Sequence, residues 1–284
     1  MTIKASDVKN LRDKTGLGMM ECKKALEAAS GNLEEAITNL RKNSALKAEK
    51  KSGRTAVEGI ILAEKTDKEI LFVEVNCETD FVAKDQNFLD FCNETLSFAT
   101  NKSSSENIFE EVSSAMEEKR MSLVQKIGEN IIIRKIEVIS GEITEFYIHS
   151  NRKIASGVSL ISGSEAVAKE ISMHIAATNP IVLSPEDLDK EFIEKEREIF
   201  RSQVENTDKP KEILEKMVEG KLNKQLSDIS LLKQPFVKDP SKKIETFLSD
   251  SNSEIKCFVR LEVGEGIEIE KKDFAEEVQS QLDS

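Results

Sequence analysis

Residues 57–64 read VEGIILAE and residues 69–77 read EILFVEVNC, with the turn-prone Thr66-Asp67-Lys68 between them. Two β-branched, apolar runs separated by a short polar turn predict a β-hairpin. The run IIIRKIEVI at 131–139 predicts a third strand. Between hairpin and third strand, residues 86–99 and 105–127 have helical spacing, and Gly128 is placed to stop the second helix. The same scheme then recurs. EITEFYIHS (142–150) and KIASGVSLIS (153–162) predict a second hairpin across Asn151-Arg152. Residues 165–178 predict a helix stopped by Asn179-Pro180, and IKCFVRLEV (255–263) closes the second copy. Val82-Ala83-Lys84 is echoed by Val167-Ala168-Lys169 at the helix starts, and Lys135-Ile136-Glu137-Val138 by Arg260-Leu261-Glu262-Val263 in the closing strands. A duplicated hairpin-first topology implies antiparallel sheets with helices on one face, hence an α+β fold rather than a doubly wound α/β one.

Outward from this core, three short helices are predicted in the first forty residues. Val8 and Leu11 share one face of the first, with Ser6 as its N-cap and Gly16 as its stop. Met19, Cys22, Ala25, Leu26 and Ala29 line the second, which Gly31 ends. Asn32 caps the third, whose face carries Leu33, Ala36, Ile37 and Leu40. Beyond Leu40 the stretch RKNSALKAEKKSGR (41–54) has six basic residues, one acid and almost no apolar face, and reads as a solvated linker. In the second copy, residues 185–226 are charged and helical, with Leu188, Phe192, Ile199, Ile213 and Met217 as a thin stripe. Asn206-Thr-Asp-Lys-Pro210 divides them into an antiparallel helical hairpin. The expected divisions are 1–54 for the head and linker, 55–140 and 141–267 for the two copies, with the hairpin near 185–226, and 268–284 for a C-terminal helical module.

Charge and composition narrow the function. The 284 residues carry a net charge of −12, yet residues 1–54 hold twelve Lys/Arg against seven Asp/Glu, leaving −17 for the rest. An acidic body argues against direct nucleic-acid binding, which depends on phosphate neutralisation. Trp is absent and aromatics are 5%, so base-stacking platforms are poorly supplied. A small basic head fits docking onto another protein. No apolar run approaches the ~18–20 residues of a membrane span. The start, MTIKASDVKN, lacks the zones of a secretory signal, which predicts a cytoplasmic protein. The four cysteines, Cys22, Cys77, Cys92 and Cys257, have no metal-ligand or redox spacing and read as buried, reduced thiols. Of the two histidines, His149 ends a predicted strand and His174 sits among apolar residues of an amphipathic helix. No serine-hydrolase elbow, zinc-protease or P-loop motif occurs, and Gly16-Leu-Gly18 lacks a dinucleotide fingerprint. No catalytic residue, metal ligand or cofactor is expected.

One segment resists a purely structural explanation. After EILFVEVNC comes Glu78-Thr79-Asp80-Phe81-Val82-Ala83-Lys84. Thr79 or Asp80 would serve as an N-cap, but Phe81 and Val82 beside that cap are unexpected in a strand-to-helix connection. They are either an anchor folding the helix onto the sheet or a wedge presented to a partner by a rigid scaffold.

Leu11-Arg12-x-x-Thr15-Gly16-x-Gly18-Met19-Met20-x-Cys22-Lys23-Lys24-Ala25-Leu26 resembles the N-terminal signature of the bacterial translation elongation factor Ts family. Residues 75–84, VNCETDFVAK, resemble its second signature. Further similar stretches are KIGEN (126–130), KPKEI (209–213), QPFV (234–237) and GEGI (264–267). The resemblance runs through essentially the whole chain in family order. It implies a guanine-nucleotide exchange factor in translation elongation, not an enzyme with its own substrate. The implied partner is elongation factor Tu, GDP-bound and nucleotide-free. A three-helix module of ubiquitin-associated type would contact the partner's nucleotide domain. The loop of Thr79, Asp80, Phe81 and Val82 would enter beside the bound Mg²⁺ and dislodge it, with Met19, Met20, Lys23 and His149 as further contacts. The helical hairpin would serve dimerisation or partner contact, and a C-terminal helix over 271–282 would join the contact surface. Two other readings remain open from the residues alone: a partner that binds and stabilises without exchange, and a cysteine-dependent enzyme.

Overall fold

The computed structural model describes residues 3–103, 105–204 and 210–268. The expected helix over 271–282 and most of the 206–210 turn lie outside the described residues. Three helices come first: α1 (Ala5–Thr15), α2 (Met19–Ala28) and α3 (Leu33–Lys51). The first copy follows as β1 (Glu58–Lys65), β2 (Glu69–Cys77), α4 (Gln86–Thr100), α5 (Ile108–Ile127) and β3 (Ile131–Ser140). The second contains β4 (Ile143–Ile148), β5 (Ile154–Ser162), α6 (Glu165–Thr178), α7 (Lys190–Val204) and α8 (Lys211–Ile229). It ends with β6 (Pro235–Phe236), β7 (Asp239–Lys243), α9 (Ile244–Asp250) and β8 (Glu254–Glu262). The sheets run β1-β2-β3, β4-β5-β8 and β6-β7. In both three-stranded sheets the hairpin's second strand is central and the closing strand adds to it. The fold is α+β, as the hairpin-first reading expects.

The described residues form two compact units, the first within 3–62, 72–136 and 262–268, the second within 63–71 and 137–261. In the first, Val8, Leu11, Leu17, Cys22, Leu26, Ala29, Ala36 and Leu40 form the small core of the three-helix head. Four of these eight are leucines, each worth about 1.5–3 kcal/mol when buried. Gly16 closes α1 and the Asn32 side chain caps α3, accepting from the N–H groups of Glu34 and Glu35 at 3.0 and 3.2 Å. Ser6 is not a cap. The helix begins at Ala5, two residues earlier than such a cap implies, with Lys4 at the cap position, and the Ser6 hydroxyl donates to Asp7.

The linker reading is also corrected. α3 continues through Lys51 and packs along α5, burying Ser44 and Ala48 to 7% and 3% exposure. Polar contacts seal the joint. Gln125 Nε2 donates to Glu21 Oε1 at 2.7 Å, Lys47 Nζ meets the same oxygen at 2.5 Å, and Arg41 pairs with Glu118 at 2.9 Å. Hydrogen bonds from Lys47 and Gln125 outweigh the burial of Glu21 and hold its carboxyl below the usual range. β2 is buried along almost its whole length. Its Glu74, fully buried, takes Arg134 Nη1 at 2.9 Å and the Gly264 N–H at 3.0 Å, tying the chain beyond β8 to this strand.

The second unit is built on β4 and β5, paired antiparallel from Ile143 opposite Leu160 to Ile148 opposite Ala155. Val158 and Leu160 from β5 meet Ile171 and Ile175 from α6, and Leu231, Phe236, Ile244 and Leu248 complete the core. α7 and α8 form the expected helical hairpin, laced by Arg197–Glu219 and Gln225–Glu196, both at 2.8 Å. Its seam differs from the expected stripe: Val204, Val218 and Leu222 are buried, while Ile199 and Ile213 are exposed. The β6–β7 ribbon and α9 stand between the expected hairpin and the closing strand, where the sequence suggests no element.

Candidate functional site: the turn after the first hairpin

β2 ends at Cys77 and α4 begins at Gln86, so the connection has room for a turn of its own. Val82–Lys84 form a 3₁₀ turn. Its bonds run from the Ala83 N–H to Thr79 O (3.2 Å), Lys84 N–H to Phe81 O (3.1 Å) and Asp85 N–H to Val82 O (2.9 Å). The Thr79 hydroxyl accepts from the Val82 N–H at 3.4 Å, so Thr79 caps this turn. It does not cap α4. That role belongs to Asp85, whose carboxylate accepts from the N–H groups of Asn87 and Phe88 at 2.9 and 3.4 Å. The Asn87 side-chain amide, followed by these backbone groups, holds the Asp85 carboxyl below its ordinary range.

The extra turn sorts its side chains sharply. Val82 and Ala83 are buried, whereas Phe81 is 80% exposed. Val82 thus lies where an anchor would, and Phe81 does not. Beside the ring, Asp80 pairs with Lys84 at 2.7 Å on the solvent side, and this hydrogen bond raises the lysine's pKa.

A second segment braces the turn from behind. Gly128 ends α5 at φ 92°, a left-handed conformation that glycine adopts without strain, and turns the chain toward the hairpin. Glu129 then directs its carboxylate at the start of the loop. Oε2 accepts from the N–H groups of Glu78 (3.1 Å) and Thr79 (3.0 Å), and Oε1 from the Thr79 hydroxyl (2.7 Å). Glu78 reciprocates, accepting from the Asn130 N–H at 2.6 Å. The buried Asn130 amide donates to Ser52 O (3.3 Å) and Arg54 O (2.8 Å), and Lys51 Nζ donates to Gly128 O. In the sequence KIGEN stands out only by its resemblance, and nothing there marks Glu129. The partners lie some fifty residues apart, a pairing that one sequence does not display.

The remaining candidates fall in separate places. Met19, Met20 and Lys23 are exposed on α2, with Lys23 near Glu27 at 3.8 Å. His149 belongs to the other unit, exposed, with its Nδ1 3.1 Å from the Tyr147 hydroxyl. His174 is fully buried as expected: Nε2 meets Gln234 Oε1 at 2.9 Å and Nδ1 accepts from the Val237 N–H at 3.2 Å. Burial lowers its pKa, favouring the neutral ring, and both nitrogens are occupied by the fold. Cys22, Cys77 and Cys92 are buried, but Cys257 is exposed on the last strand, against expectation. Among the described residues no group of three or more His, Cys, Asp or Glu could hold a metal ion. Nor is any described helix long and apolar enough to cross a membrane. What the turn can do is present an aromatic ring and an acid to another surface from a stiff support.

A sequence model of the family described as "Elongation factor TS" matches residues 78–265. The chain is 49% identical over 282 residues to the Elongation factor Ts of Hahella chejuensis, covering 99% of this chain and 98% of that one. It is 50% identical to that of Marinobacter nauticus, covering 97% and 96%, and 49% identical to that of Haemophilus ducreyi with the same coverage. The chain belongs to the elongation factor Ts family. It is therefore a member of a family of translation elongation factors. The match to the elongation factor Ts model opens at Glu78, the first residue of the braced turn. The head precedes that match, but the likeness to the relatives extends over nearly the whole chain.

Proposed function

We propose that this chain is a guanine-nucleotide exchange factor: it binds GDP-bound elongation factor Tu, dislodges the Mg²⁺ there and promotes GDP release so that GTP rebinds. The supporting observation is the exposure of Phe81 at the head of a turn whose next two residues are buried. An aromatic ring held in water by a stiff support gains most when a partner offers an apolar cleft. Mg²⁺ neutralises nucleotide phosphates and links them to a GTPase. A factor that prefers the metal-free, nucleotide-poor conformation weakens nucleotide binding by the same coupling energy with which nucleotide weakens the factor. In this reading Phe81 fills a cleft open in that conformation, and Asp80 perturbs the water shell of the metal. Val82 anchors the turn and Thr79 shapes it, while Met19, Met20, Lys23 and His149 contribute docking contacts. Exchange consumes nothing, so it needs no acid, base or cofactor from this chain.

The test is release of fluorescent GDP from purified elongation factor Tu. Acceleration by catalytic amounts of this protein supports exchange. Binding without acceleration would leave a passive stabiliser and overturn the reading.

A further inference from the structure

We infer that Glu129 is a positioning residue for exchange, its carboxylate holding the 78–82 turn in the conformation that presents Asp80 and Phe81. This rests on the exchange reading above. Three donors converge on the one side chain, the N–H groups of Glu78 and Thr79 and the Thr79 hydroxyl, at 3.1, 3.0 and 2.7 Å. The hydroxyl is the link between clamp and turn. While donating to Glu129 it accepts from the Val82 N–H at 3.4 Å, so the carboxylate selects the Thr79 rotamer that caps the 3₁₀ turn. The clasp is reciprocal through Glu78 and Asn130, and the Asn130 amide extends it to Ser52 and Arg54 just past α3. The head and the Phe81 turn are thereby fastened to the same residues, 128–130.

Such bracing matters for a wedge in a way it does not for a loop that merely closes a chain. If the turn yields when Phe81 meets its cleft, the interaction energy goes into deforming this protein rather than opening the partner. A turn already ordered also avoids that part of the entropy cost of binding. Hydrogen bonds to a charged acceptor are the strong class, which suits a carboxylate at this position.

The experiment is a double-mutant cycle on GDP release from elongation factor Tu, with urea unfolding and amide hydrogen exchange measured on each free protein. Glu129→Ala is expected to lower the release rate at saturating factor by about tenfold, and to speed amide exchange at Glu78 and Thr79. Glu129→Gln, which keeps one acceptor oxygen, recovers part of the loss. In a Phe81→Ala background Glu129→Ala costs a smaller factor, because only Asp80 is left to position. A merely structural role would give equal fold-losses in both backgrounds, and that result would overturn the inference. Should Glu129→Ala fail to fold, Glu129→Gln and Thr79→Val run the same cycle on intact protein. Wild-type protein that accelerates nothing defeats the exchange reading and this inference together. Acceleration left undiminished by these variants defeats the inference alone.

Discussion

The two copies solve the same problem, joining the central strand of a sheet to a helix, at very different lengths. In the second copy, two residues suffice between β5 and α6, Gly163 and Ser164. Gly163 sits at φ 125°, where an added Cβ would lie 2.2 Å from Ser253 Oγ, and the Ser164 side chain caps α6 through the Val167 N–H at 3.3 Å. In the first copy, the eight residues 78–85 fill the same place between β2 and α4. Six of the eight exceed what the topology requires. Within them lie the 3₁₀ turn, the exposed ring and the Asp80–Lys84 pair. A fold that can be closed in two residues has spent the other six on something else.

The most severe way to break this comparison is to make the connections alike. A chimera with residues 78–85 replaced by Gly-Ser is expected to lose all stimulated GDP release while keeping its helix and sheet content by circular dichroism. Failure of the chimera to fold would show that the long connection is structural and that the comparison misleads. A milder cut sharpens it. Phe81→Ala removes the contacts proposed with the open GTPase and few within this protein. Full burial of such a ring is worth ~1.5–3 kcal/mol, so stimulated release should fall about ten- to a hundredfold. Because the ring is 80% exposed, the urea midpoint should hardly move. A large drop in stability with a normal rate per folded molecule would return Phe81 to the core.

The sequence reading succeeds where large apolar residues carry the period. The β-branched runs of β1, β2, β3 and β5 and the stripe of α6 lie within a residue or two of the observed elements. It fails where burial is achieved by small residues. The last turns of α3 bury Ser44 and Ala48, four residues apart on one face, against α5. To a hydropathy reading such a face is blank, so the helix passes for a linker. The β6–β7 ribbon fails for another reason. Asp-Pro-Ser-Lys-Lys has no strand composition, and pairing with a two-residue strand holds it. At the candidate site, composition leaves anchor and wedge equally open for Phe81 and Val82. The structure buries Val82 and leaves Phe81 exposed, a difference that composition does not display.

Asp80 should matter less than Phe81. Its carboxylate already pairs with Lys84 at 2.7 Å, so the proposed contact with the partner's metal shell would be offset by loss of that exposed pair. Asp80→Ala is expected to slow stimulated release by less than about tenfold. The defect should shrink when Mg²⁺ is chelated, since the step that Asp80 assists is then already complete. A defect of unchanged size in chelator would assign Asp80 to docking instead.

The smallest expected effect concerns the caps themselves, because one connection ends in an acid and the other in a hydroxyl. Asp85 caps α4 with a carboxylate whose pKa is lowered by the Asn87 side-chain amide and the backbone N–H groups of Asn87 and Phe88. Ser164 caps α6 with a group that does not titrate. Loss of either cap typically costs about 1 kcal/mol. A carboxyl whose folded pKa lies below its unfolded value of 3.8 binds fewer protons folded than unfolded over the interval between them. Its contribution is complete well above 3.8 and drains away as pH falls through that value toward the folded one. In urea unfolding, Asp85→Ala should therefore be destabilised relative to wild type at pH 6, with the gap narrowing by pH 3.5. Ser164→Ala should show a gap that pH leaves alone. Asp85→Asn, which keeps an acceptor without the titration, should behave like the serine cap. If the Asp85→Ala gap is as wide in acid as at pH 6, the cap owes its strength to geometry rather than charge, and the two connections end more alike than their sequences suggest.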